Sequence, residues 1–203
     1  MVETKAMDLG APQEARMGEA QATGGCVHYT LAECIELFKE WGHARDITKN
    51  GKVRSQTTKF YEESGEIAGG ICKTNVAKVT DGVGDVLCTL STMFNVKGLD
   101  FQQYIGPVLI VDEEYVLTND PHEAIGIYME AISRVLTTLN TQATRLAGRL
   151  IREDLEIALY ALHDIAAYYN LTLAECASEA WHVIKDRVGQ MDKHGMFVKE
   201  SDL

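Results

Sequence analysis

Residues 60–70 read FYEESGEIAGG and residues 80–90 read TDGVGDVLCTL. Positions three and four apart share one face of a helix. In the first stretch Phe60, Ile67 and, just beyond it, Ile71 mark an inner face. In the second, Val79, Val83, Val86, Leu87, Leu90 and Phe94 give a broad apolar face. Beside these apolar stripes stand Glu62, Glu63 and Glu66 on one helix and Asp81 and Asp85 on the other. A core helix rarely keeps so many carboxylates next to its buried face unless something cationic compensates them. A divalent metal is the natural candidate.

Working outward, helical patterns dominate and predict an all-α bundle. Thr30 followed by Glu33 is a capping-box pair, and LAECIELFKEW then runs with helical spacing toward Gly42. TKNGKV, residues 48–53, is a turn around Asn50-Gly51 that could form a hairpin, although flanking strand signals are thin. The second helix is expected from Arg54 or Ser55 to Ile71, and the third from Val76 to Lys97 with Gly98 closing it. Gly82 and Gly84 each cost about 1 kcal/mol relative to Ala inside such a helix. A close approach by another helix or by a ligand would account for them.

Residues 99–119 read as a short hairpin or extended excursion, because PVLIVDEEYVLT mixes strand-like residues with Pro107 and three consecutive acids. Asp120-Pro121 with Glu123 starts a helix that reaches toward Leu150, with room for a break. Another helix covers residues 151–169. Thr172 and Glu175 form a second capping box and open a helix to about Val188. The tail has a turn at His194-Gly195 and an exposed polar end. The segments following Gly82 and Leu155 look faintly alike, either by duplication or because two helix-to-helix turns obey the same constraints.

The chain has 203 residues, enough for one sizeable domain. Residues 1–28, rich in Ala, Gly, Glu and Gln, read as a flexible arm before a single helical domain over 29–200, with a possible insertion at 100–150. No run approaches the ~18 apolar residues of a membrane span, and the N-terminus lacks the pattern of a secretory signal. A cytoplasmic location and no membrane partner are therefore expected. The five cysteines match neither CxxC nor a zinc spacing and read as free thiols. His43, His163 and His182 form no persuasive metal pattern. The formal charge of −11 argues against a broad nucleic-acid surface. It leaves small nucleotides open, since a metal can bridge an acidic site to phosphate.

If the two acidic helices run antiparallel, one carboxylate pair faces the other and supplies hard oxygen ligands suited to Mg²⁺. Solvated helix surfaces are the competing account. The ordered pieces Trp41, Arg45-Asp46-Ile47, Gln56, Lys59, Glu62-Glu63-Ser64-Gly65-Glu66, DGVGDVL with Asp81 and Asp85, and EAWHVIKDRVGQM followed by GMFVKE together resemble the MazG-like family of all-α nucleoside triphosphate pyrophosphohydrolases, its phage-type members in particular. The resemblance covers residues 30–98 and 151–200. The family's second element presents a glutamate three residues before its aspartate; here that place is Gly82, with Asp81 adjacent.

The resemblance implies hydrolysis of a nucleoside or deoxynucleoside triphosphate between its α and β phosphates, giving the monophosphate and pyrophosphate. It implies Mg²⁺, with Mn²⁺ as an alternative, held by Glu63, Glu66 and Asp85, with Asp81 as fourth candidate. Glu62 would hold a second metal or polarise the attacking water. Lys59 contacts phosphate or forms a salt bridge to Glu62 or Glu63; with Glu62 and Glu63 it makes up the catalytic group. Trp41, Arg45, Gln56, Lys185 and Arg187 are candidates for substrate binding, against bland readings as a helix anchor, a helix-end contact, a surface amide and a solvated charge cluster. The family also implies a dimer or tetramer, acting in the host cytoplasm if phage-encoded. A nucleotide-binding or regulatory helical protein without catalysis is the second reading. An oligomeric interaction protein whose acidic ridge binds a cation or a basic partner is the third.

Overall fold

The computed structural model describes residues 28–109 and 116–202, with the side chains of 107–109 left aside. Within them the chain is an all-α bundle carrying one small hairpin. The elements are α1 (Leu31–Ala44), α2 (Ile47–Asn50), α3 (Val53–Cys72), α4 (Val76–Lys97), α5 (Gln102–Leu109), α6 (Pro121–Thr141), α7 (Thr144–Leu150), α8 (Arg152–Tyr168) and α9 (Leu173–Ile184). They are followed by β1 (Gly189–Met191), β2 (Phe197–Lys199) and a 3₁₀ turn over Glu200–Asp202. No helix of the described residues is long and apolar enough to cross a membrane. The arm expected over 1–28 falls, apart from His28, outside the described residues.

Both capping boxes form. Thr30 accepts from the Glu33 amide and Thr172 from the Glu175 amide, and each glutamate reaches back to the cap. The helices end where left-handed residues allow it: Gly98 has φ 76° and Asn170 φ 58°. That shared constraint links the two faintly similar segments.

α3 and α4 form an antiparallel pair joined by Lys73–Asn75, and α9 lies against the other side of α4. Two glycines make this close packing possible. A Cβ on Gly82 would stand 2.9 Å from Ile67 Cγ1 and 3.0 Å from the Ile67 nitrogen on α3. A Cβ on Gly84 would meet Ala180 Cβ at 2.8 Å and the Cys176 carbonyl on α9. Helices, not a ligand, therefore account for both glycines.

Three expectations change, and one left open is decided. The turn at Asn50-Gly51 is the end of the one-turn helix α2, with no strands beside it. Gln102–Leu109, expected to be extended, is helical, because Phe101, Tyr104 and Ile105 present one apolar face to the core; residues 110–115 fall outside the described set. The long helix breaks at Gln142-Ala143 into α6 and α7, the break the sequence left room for. The last helix stops at Ile184 rather than Val188, and the chain turns back as β1–β2, pairing Gly189 with Lys199 and Met191 with Phe197.

The middle of the chain joins the same core. Phe101, Ile105, Tyr128, Ile132 and Val135 are buried in one apolar cluster with Phe60, Val83, Leu87 and Leu162. Tyr128 on α6 contacts Ser64 of α3 through its hydroxyl at 3.2 Å. Because Ser64 adjoins Glu63, the middle segment braces the back of the acidic helix. None of its described residues lines the cleft on the front.

Candidate functional site

The front faces of α3 and α4, the end of α9 and the C-terminal hairpin enclose a cleft with two connected parts. The inner part is a slot lined by Trp41, Ile47, Gln56, Thr89, Thr92, Ile184, Met196 and Phe197. The outer part is a polar ridge bearing Glu62, Glu63, Glu66 and, across it, Val198 and Lys199 of β2. Lys59, Glu63, Asp85, Arg187, Met196 and Phe197 line both.

Helical spacing assembles the ridge. Lys59, Glu62, Glu63 and Glu66 fall on one side of α3, while Phe60, Ile67 and Ile71 take the core side. Glu63 sits at the boundary and is 3% exposed. Its Oε1 is shielded from water, and the Lys59 ammonium lies 2.5 Å away. The same ammonium reaches Glu62 Oε2 at 2.9 Å. Burial works against charge on Lys59, and pairing with Glu63 and Glu62 overcomes it, so its pKa is raised. Burial raises the Glu63 carboxyl despite Lys59. Glu66 stands further out, with Lys78 Nζ at 3.7 Å.

Asp85 faces Glu63 from α4. Burial first, then the charges of Glu63 and Asp81, push it from an ordinary 3.8 to about 7, with Arg187 and Lys59 opposing. Asp81 shares the Asp85 face of α4 but is exposed and lines neither part of the cleft. Gly82 points into α3, so the family's glutamate has no room at that position.

The donor chemistry suits a hard divalent cation: carboxylate oxygens, one of them buried and met by the Lys59 ammonium, in a place that resists accumulating negative charge. The carboxylates are not gathered into a cage. Among the described residues no group of three or more His, Cys, Asp or Glu side chains is arranged to hold a metal ion. Lys59 provides the nearest positive charge to Glu62 and Glu63.

The remaining candidates separate. Gln56 is 5% exposed and faces the slot. Trp41 forms one wall; its indole Nε1 donates to the Ile184 carbonyl at 2.8 Å, and its ring meets Phe197 edge-on at 5.4 Å. Arg45 stays behind that wall. Its guanidinium lies 4.7 Å over the Trp41 ring and donates to the carbonyls of Arg187 and Lys185 at 2.8 and 2.9 Å. It thereby holds the segment that delivers Arg187. Lys185 is exposed and lines neither part of the cleft, whereas Arg187 enters both.

Thr89, Thr92, Ile47, Met196 and Phe197 were not singled out from sequence. Thr89 and Thr92 follow Asp85 at helical spacing on the same face of α4, a readable signal. Met196 and Phe197 fall in the GMFVKE piece and after the turn at His194-Gly195, but strands of three residues carry no alternation that would aim them at the slot. Ser55 Oγ donates to the His194 carbonyl at 2.6 Å, and Gly195, with φ 81°, packs against Asn50 and Lys52. These contacts dock the hairpin tip on the α2–α3 junction.

No protein-family model matches the chain, and comparison with curated proteins and with solved structures finds no significant match.

Proposed function

We propose that this chain is a metal-dependent nucleoside triphosphate pyrophosphohydrolase of the MazG-like kind, cleaving between the α and β phosphates. The observation that carries the reading is continuity: an apolar-walled slot with buried polar groups opens directly onto a carboxylate ridge flanked by Lys59 and Arg187. A slot beside a ridge of mixed charge suits a ligand with one flat, weakly polar end and one highly charged end.

Glu63, Glu66 and Asp85 would hold Mg²⁺, with Glu62 and Asp81 as outer carboxylates. Bound there, the metal would neutralise phosphate charge and lower the pKa of a bound water. Arg187, with five fixed donors, suits the phosphate oxygens of the tail. Lys59 pairs with Glu62 and Glu63 in the free protein and turns its ammonium toward phosphate when a ligand enters. Glu62, the more exposed of the pair, accepts the proton of the attacking water. Trp41, Met196 and Phe197 keep bulk water from the inner end.

A non-catalytic nucleotide-binding protein is the second reading. It is favoured by the packing of Gly82 against α3 and by the absence of a ready-made metal cage among the described residues.

A panel of ribo- and deoxynucleoside triphosphates with Mg²⁺, resolving monophosphate and pyrophosphate, decides between them. Turnover in the parent is expected, falling at least about 100-fold in Glu63→Gln and Asp85→Asn with helicity retained. Nucleotide binding without pyrophosphate release from any triphosphate would support the second reading and overturn the first.

A further inference from the structure

The inner slot contains two buried polar groups with no described partner. Gln56 is 5% exposed and Thr89 is 7% exposed, and both line the slot. The Gln56 backbone nitrogen donates to the Lys52 carbonyl in the first turn of α3. Its carboxamide has no hydrogen-bonding partner among the described residues, and neither does the Thr89 hydroxyl. Other helical threonines, such as Thr57 and Thr80, bond back to a carbonyl four residues earlier. Neither of the slot groups is sealed from water, so both face the open slot and are available to a ligand there. A carboxamide presents a donor and an acceptor side by side, the complement of an amide or amidine edge on a planar heterocycle. The walls around these groups are flat or apolar: Trp41, Ile47, Ile184 and Phe197.

Spacing fixes the direction of the ligand. Gln56 and Glu63 lie seven residues apart on one face of α3, or about 10 Å at 1.5 Å per residue. Thr89 and Asp85 are one turn apart on α4. The slot's polar floor is thus set back from the ridge by about the reach from a base edge to the inner phosphates of an extended nucleotide.

We propose that the slot is the base-reading half of the cleft: the edge of a nucleobase bonds to the Gln56 carboxamide and the Thr89 hydroxyl, its ring lies against Phe197, and its phosphates leave past Lys59 and Arg187. The inference rests on the nucleotide reading of the same cleft. It adds that base preference is set by Gln56 and Thr89, and that the hairpin supplies the stacking surface.

The test is calorimetric binding without Mg²⁺, so that no turnover enters it. The probes are the four common nucleoside monophosphates and, as a base-free control, ribose 5-phosphate. The parent should bind at least one monophosphate more than about tenfold more tightly than ribose 5-phosphate. Gln56→Glu, which replaces the amide donor by an acceptor, should change the order of base preference. Gln56→Leu should remove the preference while leaving ribose 5-phosphate affinity within twofold. Thr89→Val should weaken the preferred base three- to tenfold, and Phe197→Ala should weaken all bases alike. Equal binding of monophosphates and ribose 5-phosphate, or an unchanged base order in both Gln56 variants, would overturn the assignment. Those results leave hydrolysis untouched, since the panel above reads it separately; base-selective binding with no turnover would sink the hydrolase reading and keep the slot.

Discussion

Asp85 stands between like charges on Glu63 and Asp81 and unlike charges on Arg187 and Lys59. Burial decides the outcome and holds its carboxyl near pH 7. Between pH 3.8, its ordinary value, and about 7, the folded chain keeps a proton that the unfolded chain releases. The unfolded state then binds fewer protons, so stability falls as pH rises through that window and this contribution levels off above it. Metal-free protein should therefore lose thermal stability between about pH 4 and 7. Asp85→Asn should flatten the slope and melt higher at pH 8, while losing the stabilisation that Mg²⁺ gives the parent. Melting curves across pH, with and without Mg²⁺, check both halves; an Asp85→Asn protein that still gains the parent's full Mg²⁺ shift would remove Asp85 from the ligand set. Glu63 was legible as a candidate because it stands one turn from the core residue Ile67 and one turn from Lys59. Its isolation from water was not legible, because burial depends on what α4, with Asp85, brings against it. Arg45 was legible as a cation for phosphate or for a helix end; that its donors are taken up by two backbone carbonyls just past α9 is a fact of chain path.

The pairing of α3 with α4 carries the site. Gly82 lets the two helices approach until a Cβ would stand 3.0 Å from the backbone nitrogen of Ile67. Gly82→Ala gains about 1 kcal/mol of helix propensity but forces the helices apart, and overpacking of this kind costs about 1–3 kcal/mol. A net loss of stability is expected. Gly82→Glu should be worse and should not restore a family-like carboxylate, because position 82 faces α3 rather than the cleft. Urea midpoints of the two variants measure this. A Gly82→Glu protein as stable as the parent, with tighter Mg²⁺ binding, would show that position 82 turns toward the ridge. Among the other elements, α1, α3, α4, α6, α8 and α9 were readable from apolar spacing and from caps, which are local signals. α5 was misread because Pro107 and the acids after it suggested extension, whereas Phe101, Tyr104 and Ile105 are held helical by burial against α8 and α1. The β1–β2 hairpin had no sequence period to read. It exists because Gly195 and His194 find partners on α2 and α3 and Phe197 finds Trp41.

Across the whole molecule, one core joins the acidic pair, the middle helices and α9, and the cleft lies where the hairpin folds back over α3 and α4. Since the carboxylates do not form a finished cage among the described residues, metal and nucleotide should complete the site together. Mg²⁺ alone, or a nonhydrolysable triphosphate alone, is expected to shift the melting midpoint only slightly, and both together by more than the sum of the two. Strict additivity in a thermal-shift matrix would mean independent sites. The sequence by itself determined the all-α class, the two capping boxes, the extents of α3 and α4, and which carboxylates share a helix face. Those features arise from spacing and from contacts within a few residues. Only the tertiary structure decided that Gly82 and Gly84 serve helix packing, that Asp81 and Lys185 stay outside the cleft, and that Gln56 and Thr89 share a slot closed by Met196 and Phe197. Each of these depends on residues brought together from distant parts of the chain, and helical periodicity specifies which side a residue takes without specifying what meets it there.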